Sequence, residues 1–330
     1  MTSYLTLYYH YIRPEKNKEP FPRMPGIRVA EFNDHIRMLN KYYQIITLND
    51  AHKFLNSDPY PNVKNSILLT FDDGLSDHYL AAKILSKHGI KGTFFIPTCI
   101  LIDKLPANPT IIHYCLAIYG IQKFLVMYRS ALRKYNISMS KYNVSFKKGI
   151  DNPLGIILNV KSILKYKLKH NIARKILLYI YKNSLLRDYP NAMEIMHLTQ
   201  DQISKMTKMG HSVGPHSHTH ISIASARLTE KDFVKEVINP KKILEDLFHV
   251  PVIAFSYPFG LRQDCLTQQE LVNKKTEYKL AFTIEEAVNT KNTPSFELNR
   301  CSVEIRNRNN VKNLKNDLEK NINANSYIHK

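Results

Sequence analysis

Apolar positions along the chain follow two periods, and the places where one gives way to the other set out the elements. The run "YLTLYYHYI" is aromatic and β-branched, and predicts a first strand that ends near His10. In "VAEFNDHIRMLNKYY" the residues Phe32, Ile36 and Leu39 recur at helical spacing. "QIITLND" predicts a short strand, with Asn49 or Asp50 capping a helix over "AHKFLNS". "NSILLTFDDG" is a continuous apolar strand that stops on two acids and a glycine. The helix "SDHYLAAKILSKHG" and the strand "IKGTFFIPT" follow it. Strand, helix and strand at this spacing form a βαβ unit, so an α/β fold with a parallel sheet is expected. The alternation resumes late in the chain with the helix "TQDQISKMTKM", the amphipathic "TEKDFVKEVINPKKILEDLF" and the strands "PVIAFSYPFG", "KLAFTI" and "ELNRCSVEI".

Residues 104–196 break this rhythm. They read as helical, with apolar runs such as "KILLYIYKNSLL", and predict a basic insertion within one domain spanning 1–330. Between Ile121 and Pro190 there are 15 Lys or Arg against two acids, Asp151 and Asp188. The whole chain has a formal charge of +19, so this segment carries most of the excess. One reading is a solvated basic face; the other is attraction to an anionic membrane surface through residues 121–190. Charge alone would also suit nucleic acid, but no zinc-finger spacing, helix-turn-helix or aromatic RNA-binding signature accompanies it, so no nucleic acid partner is expected. No window of about 18 residues is apolar throughout, so no membrane span is expected. The N-terminus has no basic segment leading into a long apolar one, which points to a cytoplasmic protein, peripheral at the inner face of the membrane. Cys99, Cys115, Cys265 and Cys301 are widely spaced and read as reduced, mostly buried thiols.

Polar residues able to do chemistry fall at predicted strand ends, where parallel α/β folds place their sites. "GHSVGPHSHTH", Gly210 to His220, holds four of the chain's 14 histidines. His216 and His220, four apart, can ligate one metal. A carboxylate would complete three protein ligands and leave a position open. Asp72 and Asp73 supply carboxylates at another strand end: one can bind metal while the other takes a proton from the attacking water. The alternatives are a polar surface loop for the histidines and a tight turn for the acids.

Together these segments resemble the polysaccharide deacetylase family, also called NodB-homology or carbohydrate esterase family 4. "LTFDDG" matches its first motif, "HSHTH" its second, and "FSYPFG" its third in a variant form. The "YH" opening is similar to that of one subgroup. The resemblance covers about 1–103 and 197–305. It implies a distorted (β/α) barrel and a metal-dependent hydrolase that removes an N-acetyl group from an amino sugar. It implies that Asp73, His216 and His220 hold one divalent ion, Zn²⁺ fitting best, and that Asp72 is the general base. The backbone N–H of Phe259 would help form an oxyanion hole. His218 is then a passenger at the surface or behind the ligands, and His211 has no direct role.

Two departures matter. Ser256 stands where the family's third motif has an arginine, and Arg300 in "LNRCSV" is the candidate replacement. A late leucine-x-histidine motif for the general acid is missing, since His329 lies in the C-terminal tail; His10 is the candidate, with His78 and His113 next. The expected substrate is an amino-sugar glycan or a lipid-linked or nucleotide-linked precursor. The rival readings are a deformylase or other amide hydrolase of the same fold, and an inactive glycan-binding module.

Overall fold

The computed structural model describes residues 3–15, 21, 23–57, 65–303, 312–316 and 318–320. Its strands are β1 (Ser3–Tyr9), β2 (Ile12–Arg13), β3 (Ile27–Arg28), β4 (Gln44–Ile46), β5 (Ser66–Phe71), β6 (Thr93–Ile96), β7 (Ser212–Pro215), β8 (Ala254–Ser256), β9 (Leu280–Phe282), β10 (Asn289–Thr290) and β11 (Cys301–Ser302). The fold is α/β, a curled sheet that makes a half-barrel with many helices. β1 pairs in parallel with β5 over its whole length, from Tyr4 opposite Ser66 to Tyr9 opposite Phe71. β4 pairs with the first half of β5 and β6 with its end. β7 follows β6, while β8 and β9 form a separate parallel pair.

The strands are buried on both faces, as parallel sheets are, and the two-residue alternation separates two layers. Leu5, Leu7, Tyr9, Ile67, Leu69, Phe71 and Phe94 join the core beneath the helices Val29–Tyr42 and His78–Lys87. Tyr4, Leu68 and Phe95 turn the other way and pack with Ala254, Leu280, Phe282 and Leu298. Continuing that second column along β5 gives Thr70 and then Asp72. Along β1 it gives Thr6, Tyr8 and then His10. Because Tyr9 lies opposite Phe71, His10 and Asp72 leave adjacent strands side by side on the inner face.

Helix Leu48–Asn56 is capped by Thr47, not by Asn49 or Asp50. Thr47 Oγ1 accepts from the Asp50 N–H, and the Asp50 carboxylate accepts from the Thr47 N–H, so Asp50 is the returning half of a capping box. The amphipathic segment after Thr229 is helical throughout but carries a π turn at Val234–Ile238.

Between β6 and β7 the chain is helical, as its apolar runs predict. Asn108–Lys134, Pro153–Ser162 and His170–Asn183 enclose a second hydrophobic core with Tyr11, Phe21 and Met24 from the N-terminal loop. Asn108–Lys134 departs from one expectation: by length and composition alone it could cross a bilayer. In the fold it breaks at Gly120, with φ of 75°, and buries Ile111, Tyr114, Phe124 and Tyr128 against neighbouring helices. Cys99, Cys115 and Cys301 are buried and Cys265 is half-buried, and no disulfide joins them.

Candidate metal and catalytic site

Asp72 and Asp73 follow β5 directly, and the histidine loop follows β7, so two strand ends deliver the polar groups to one place. The ligating atoms of Asp73, His216 and His220 all lie within 4.8 Å of one another, and all three residues are buried. His216 Nε2 is 3.5 Å and His220 Nε2 3.0 Å from Asp73 Oδ1. His220 approaches out of hydrogen-bond alignment, so this buried oxygen is left without a donor. His216 Nδ1 donates to the Ser256 carbonyl at 2.8 Å, which leaves Nε2 as the lone-pair nitrogen facing Asp73. Burial, with the nearby His220, holds His216 down to about 4, so it is neutral at physiological pH. Burial pushes the Asp73 carboxyl up, but His220 and its neighbours hold it well below the usual carboxylate range. A carboxylate and two imidazoles converging on one buried point, with an oxygen left undonated, fit a divalent cation.

The loop is shaped for this. Ser217 Oγ accepts from the N–H of His220 at 2.9 Å, closing a tight turn between the two candidate ligands. Asp73, Ser217, His220 and Phe259 have φ of 78°, 54°, 62° and 66°, left-handed conformations that non-glycine residues avoid. Gly214 in β7 cannot carry a side chain, because a Cβ would sit 2.6 Å from the Ala254 carbonyl oxygen.

Asp72 is 2% exposed and paired with Arg300, whose Nη1 and Nη2 donate to Oδ1 and Oδ2 at 2.9 and 2.7 Å. Burial pushes Asp72 up, but Arg300, then His216, outweigh it and bring it down to about 2. Arg300 Nη2 also donates to Ser256 Oγ at 3.0 Å, and Nε to the Thr283 carbonyl at 2.7 Å. A serine at 256 leaves room for this guanidinium, which arrives from the start of β11.

His10 lines the same cavity as Asp72, Asp73, His216, His220 and Phe259. The Phe259 N–H has no acceptor among the described residues, and its ring stands edge-on to His220 at 4.7 Å between centroids. His78 is not part of that lining: its Nε2 donates to the His10 carbonyl at 2.9 Å. His113 does line it, bonded to Lys161 and Tyr11. His329 lies outside the described residues.

His218 is neither a ligand nor at the surface. It is 3% exposed, with Nδ1 2.9 Å from Thr98 Oγ1 and Nε2 donating to Asp103 at 3.0 Å, and so pins the loop to the end of β6. His211 is also structural, donating through Nε2 to the Ala82 carbonyl and accepting from the Gly92 N–H. Glu236 is the residue that sequence reasoning misses. It is buried on the π turn, and its carboxylate accepts from the N–H groups of His218 and Thr219 and from the Thr219 hydroxyl at 2.8–3.1 Å. A carboxylate in an amphipathic helix reads as a solvent-facing charge; only the helix's return beneath the loop gives it this role.

Part of the sequence, and the fold as a whole, are similar to known proteins. Residues 166–280 match the sequence model of the family described as polysaccharide deacetylase, a stretch that holds both histidines and Phe259. The Bacillus subtilis (strain 168) protein named "Putative polysaccharide deacetylase YxkH" is 22% identical over 276 residues, 83% of this chain. The chain spans 64% of that curated relative's length. Among solved structures, the Streptococcus pyogenes deacetylase PplD in complex with acetate aligns at a TM-score of 0.55 and 15% identity, covering 96% of this chain and 97% of that one. IcaB from Ammonifex degensii aligns at 0.53 and 16%, covering 92% of each. At such identities the structures establish the shared fold alone. Residues 166–280 are thus similar to the polysaccharide deacetylase family's sequence model, and the chain as a whole shares the α/β fold of solved deacetylase structures.

Proposed function

We propose that the protein is a metal-dependent N-deacetylase acting on an amino sugar of a lipid-linked or nucleotide-linked glycan precursor. The observation that carries this reading is the pairing of two sites in one cavity: the Asp73, His216 and His220 cluster beside the Asp72–Arg300 pair. Asp73, His216 and His220 would hold the ion, Zn²⁺ by the mixed nitrogen and oxygen donors. A divalent ion there supplies Lewis acidity, polarising the acyl carbonyl and acidifying water.

The chain's own residues do the rest. Asp72 accepts a proton from the attacking water, and Arg300 keeps its carboxylate ionised and aimed. The water oxygen forms a bond to the carbonyl carbon, and the Phe259 N–H donates to the oxygen as it gains charge. The carbon–nitrogen bond then breaks. His10 protonates the departing amine, which leaves acetate and the free amino sugar.

The protein works in the cytoplasm at the inner membrane face. Lys147, Lys148, Lys167, Lys169 and Lys175 are exposed and suit an anionic surface. Lys165 and Arg174 are not spare charges: Lys165 pairs with buried Asp264 at 2.8 Å, and Arg174 donates to the Pro106 carbonyl and Asn108.

The test is metal analysis of the purified protein with an acetate-release screen on amino-sugar precursors. About one divalent ion per chain is expected from the three-ligand arrangement. His216→Ala and His220→Ala should each abolish stoichiometric binding and acetate release together. Full metal occupancy in both variants would sink the reading. Salt-reversible sedimentation with anionic vesicles, lost when the five exposed lysines are neutralised, tests the surface.

A further inference from the structure

The cavity has two unlike walls. One is the polar cluster at the strand ends. The other comes from the helices between β6 and β7; it carries an aliphatic patch of Ile112, Leu158, Leu164, Ala173 and Leu177, with Asn108, Ser162, Tyr166 and His170 around it. The cavity holds about 490 Å³, more than a single acetamido sugar needs. The aliphatic patch suits a hydrocarbon chain.

Two lysines stand in this wall, Lys161 and Lys165, and Lys165 is paired with Asp264. Lys161 is part-buried in the lining, with Nζ 2.9 Å from His113 Nε2. An ammonium only donates, so Nε2 is the acceptor and the imidazole proton sits on Nδ1. That proton points at the Tyr11 hydroxyl oxygen, 3.1 Å away. Tyr11 accepts there and keeps its own O–H for another acceptor, and it too lines the cavity. Burial, with the Lys161 charge, holds His113 at about 3, so the imidazole stays neutral. Among the described residues no carboxylate forms an ion pair with Lys161; burial pushes its pKa down, and Asp73 opposes this only from a distance. A part-buried ammonium whose one hydrogen-bond partner among the described residues is a neutral imidazole, with its carboxylate held at a distance on the metal cluster, is under-compensated, and an anion in the cavity would complete it.

The aliphatic wall also has a way out. Leu158 is 55% exposed at the cavity lining, and Leu154 and Ile150 continue outward at 61% and 79%. Such a row on one short segment offers a track for an apolar chain between solvent or membrane and the cavity.

We propose that Lys161, with the Tyr11 hydroxyl, binds a phosphoryl group of the ligand, and that the aliphatic wall holds an apolar chain attached to it. The ligand is then an anionic amphiphile, with its sugar toward Asp73 and its chain running out along Leu158. This rests on the deacetylase reading only in naming that amphiphile as the substrate.

Calorimetric titration of the metal-loaded protein with dodecyl phosphate, dodecyl maltoside, inorganic phosphate and uridine diphosphate, all below micellar concentrations, tests it. Dodecyl phosphate should bind tightest. Lys161→Met should weaken it roughly 10- to 100-fold, the worth of one charge-assisted hydrogen bond, and leave dodecyl maltoside unchanged. Lys161→Arg should keep most of the affinity. Leu158→Asp, at an exposed position that does not threaten folding, should weaken both alkyl ligands. Unchanged metal stoichiometry shows that each variant is folded. Equal binding of dodecyl phosphate to wild type and Lys161→Met overturns the proposal. So does tighter binding of uridine diphosphate with Leu158→Asp indifferent, which would point to a nucleotide. Lys161-dependent binding with no acetate release from any substrate would sink the deacetylase reading and leave this subsite standing.

Discussion

Arg300 meets Asp72 with both ends of its guanidinium, across 228 residues of sequence, and neither side chain is more than 3% exposed. Planar two-point pairing of this kind fixes the carboxylate's orientation as well as its charge. Arg300→Lys keeps the charge but not the fork. Turnover should fall by roughly 10- to 100-fold, with metal stoichiometry unchanged, by analogy with other supporting residues. Arg300→Met leaves a buried carboxylate unpaired and should cost about 3–5 kcal/mol in urea unfolding. An unchanged unfolding midpoint for Arg300→Met would show that the pair contributes nothing.

His10 and Asp72 can be told apart by substrate. Asp72→Asn should lose most activity and keep its metal, since only the proton acceptor is gone. His10→Ala should keep metal and slow amide hydrolysis by roughly 10²–10⁴-fold. The loss should shrink on an activated ester, whose leaving group departs without a proton. Equal losses on amide and ester would make His10 a lining residue and move the search for the acid to His113.

Glu236 holds the ligand loop through three hydrogen bonds, so its effect should appear in metal affinity before chemistry. Glu236→Ala leaves the buried Thr219 N–H and hydroxyl without an acceptor, while the His218 N–H keeps the Glu236 backbone carbonyl, and should destabilise by about 1–3 kcal/mol. Metal should bind roughly 10- to 100-fold more weakly, as when other supporting partners are removed. Glu236→Gln keeps an acceptor and should recover part of both. If Glu236→Ala binds metal as tightly as wild type, the loop is held by other means.

Acid should weaken the fold well before carboxylates protonate. Burial holds His211 down to about 4, against about 6.5 in an unfolded chain. Between those values the unfolded chain binds the extra proton. The contribution is therefore full above pH 6.5 and is lost as pH falls toward 4, by roughly 3 kcal/mol for this residue. His78 and His197 are held near 4 in the same way and add to the slope. Urea unfolding at several pH values between 4.5 and 7 measures it. His211→Gln, which can still donate and accept, should flatten the slope by about one proton's worth. A variant slope equal to that of wild type would contradict the assignment.

The parts of the site that were legible in the sequence are those built from neighbours in the chain. Asp72 and Asp73 sit together at the end of an apolar run, and His216 and His220 share one turn, so local spacing exposes them. Arg300 was legible only through an absence, the serine at 256 where a family arginine was expected. Glu236, Tyr11 and Lys161 were not legible, because each depends on where a distant element returns. Lys161 reads as one more lysine in a basic stretch until the helices close over the cavity. For His218 the sequence leaves surface and a place behind the ligands equally open, because Thr98 and Asp103, which hold it behind the loop, lie more than a hundred residues upstream. The strands were readable from apolar runs, but β8, β9 and β11 shrink to two or three residues where the sheet breaks up.

The left-handed backbone at Asp73, Ser217, His220 and Phe259 sets function against folding. Each such residue carries on the order of 1 kcal/mol of conformational cost that glycine would not. Glycine at Asp73 or His220 would relax the chain while erasing a ligand, and at Ser217 it would erase the hydroxyl that closes the turn, whereas at Phe259 the backbone N–H would remain. Sequences that drift under selection for stability alone would thus lose the centre first and the barrel last. A relative with this fold and high thermal stability could be a binding protein in which the enzyme has already been relaxed away.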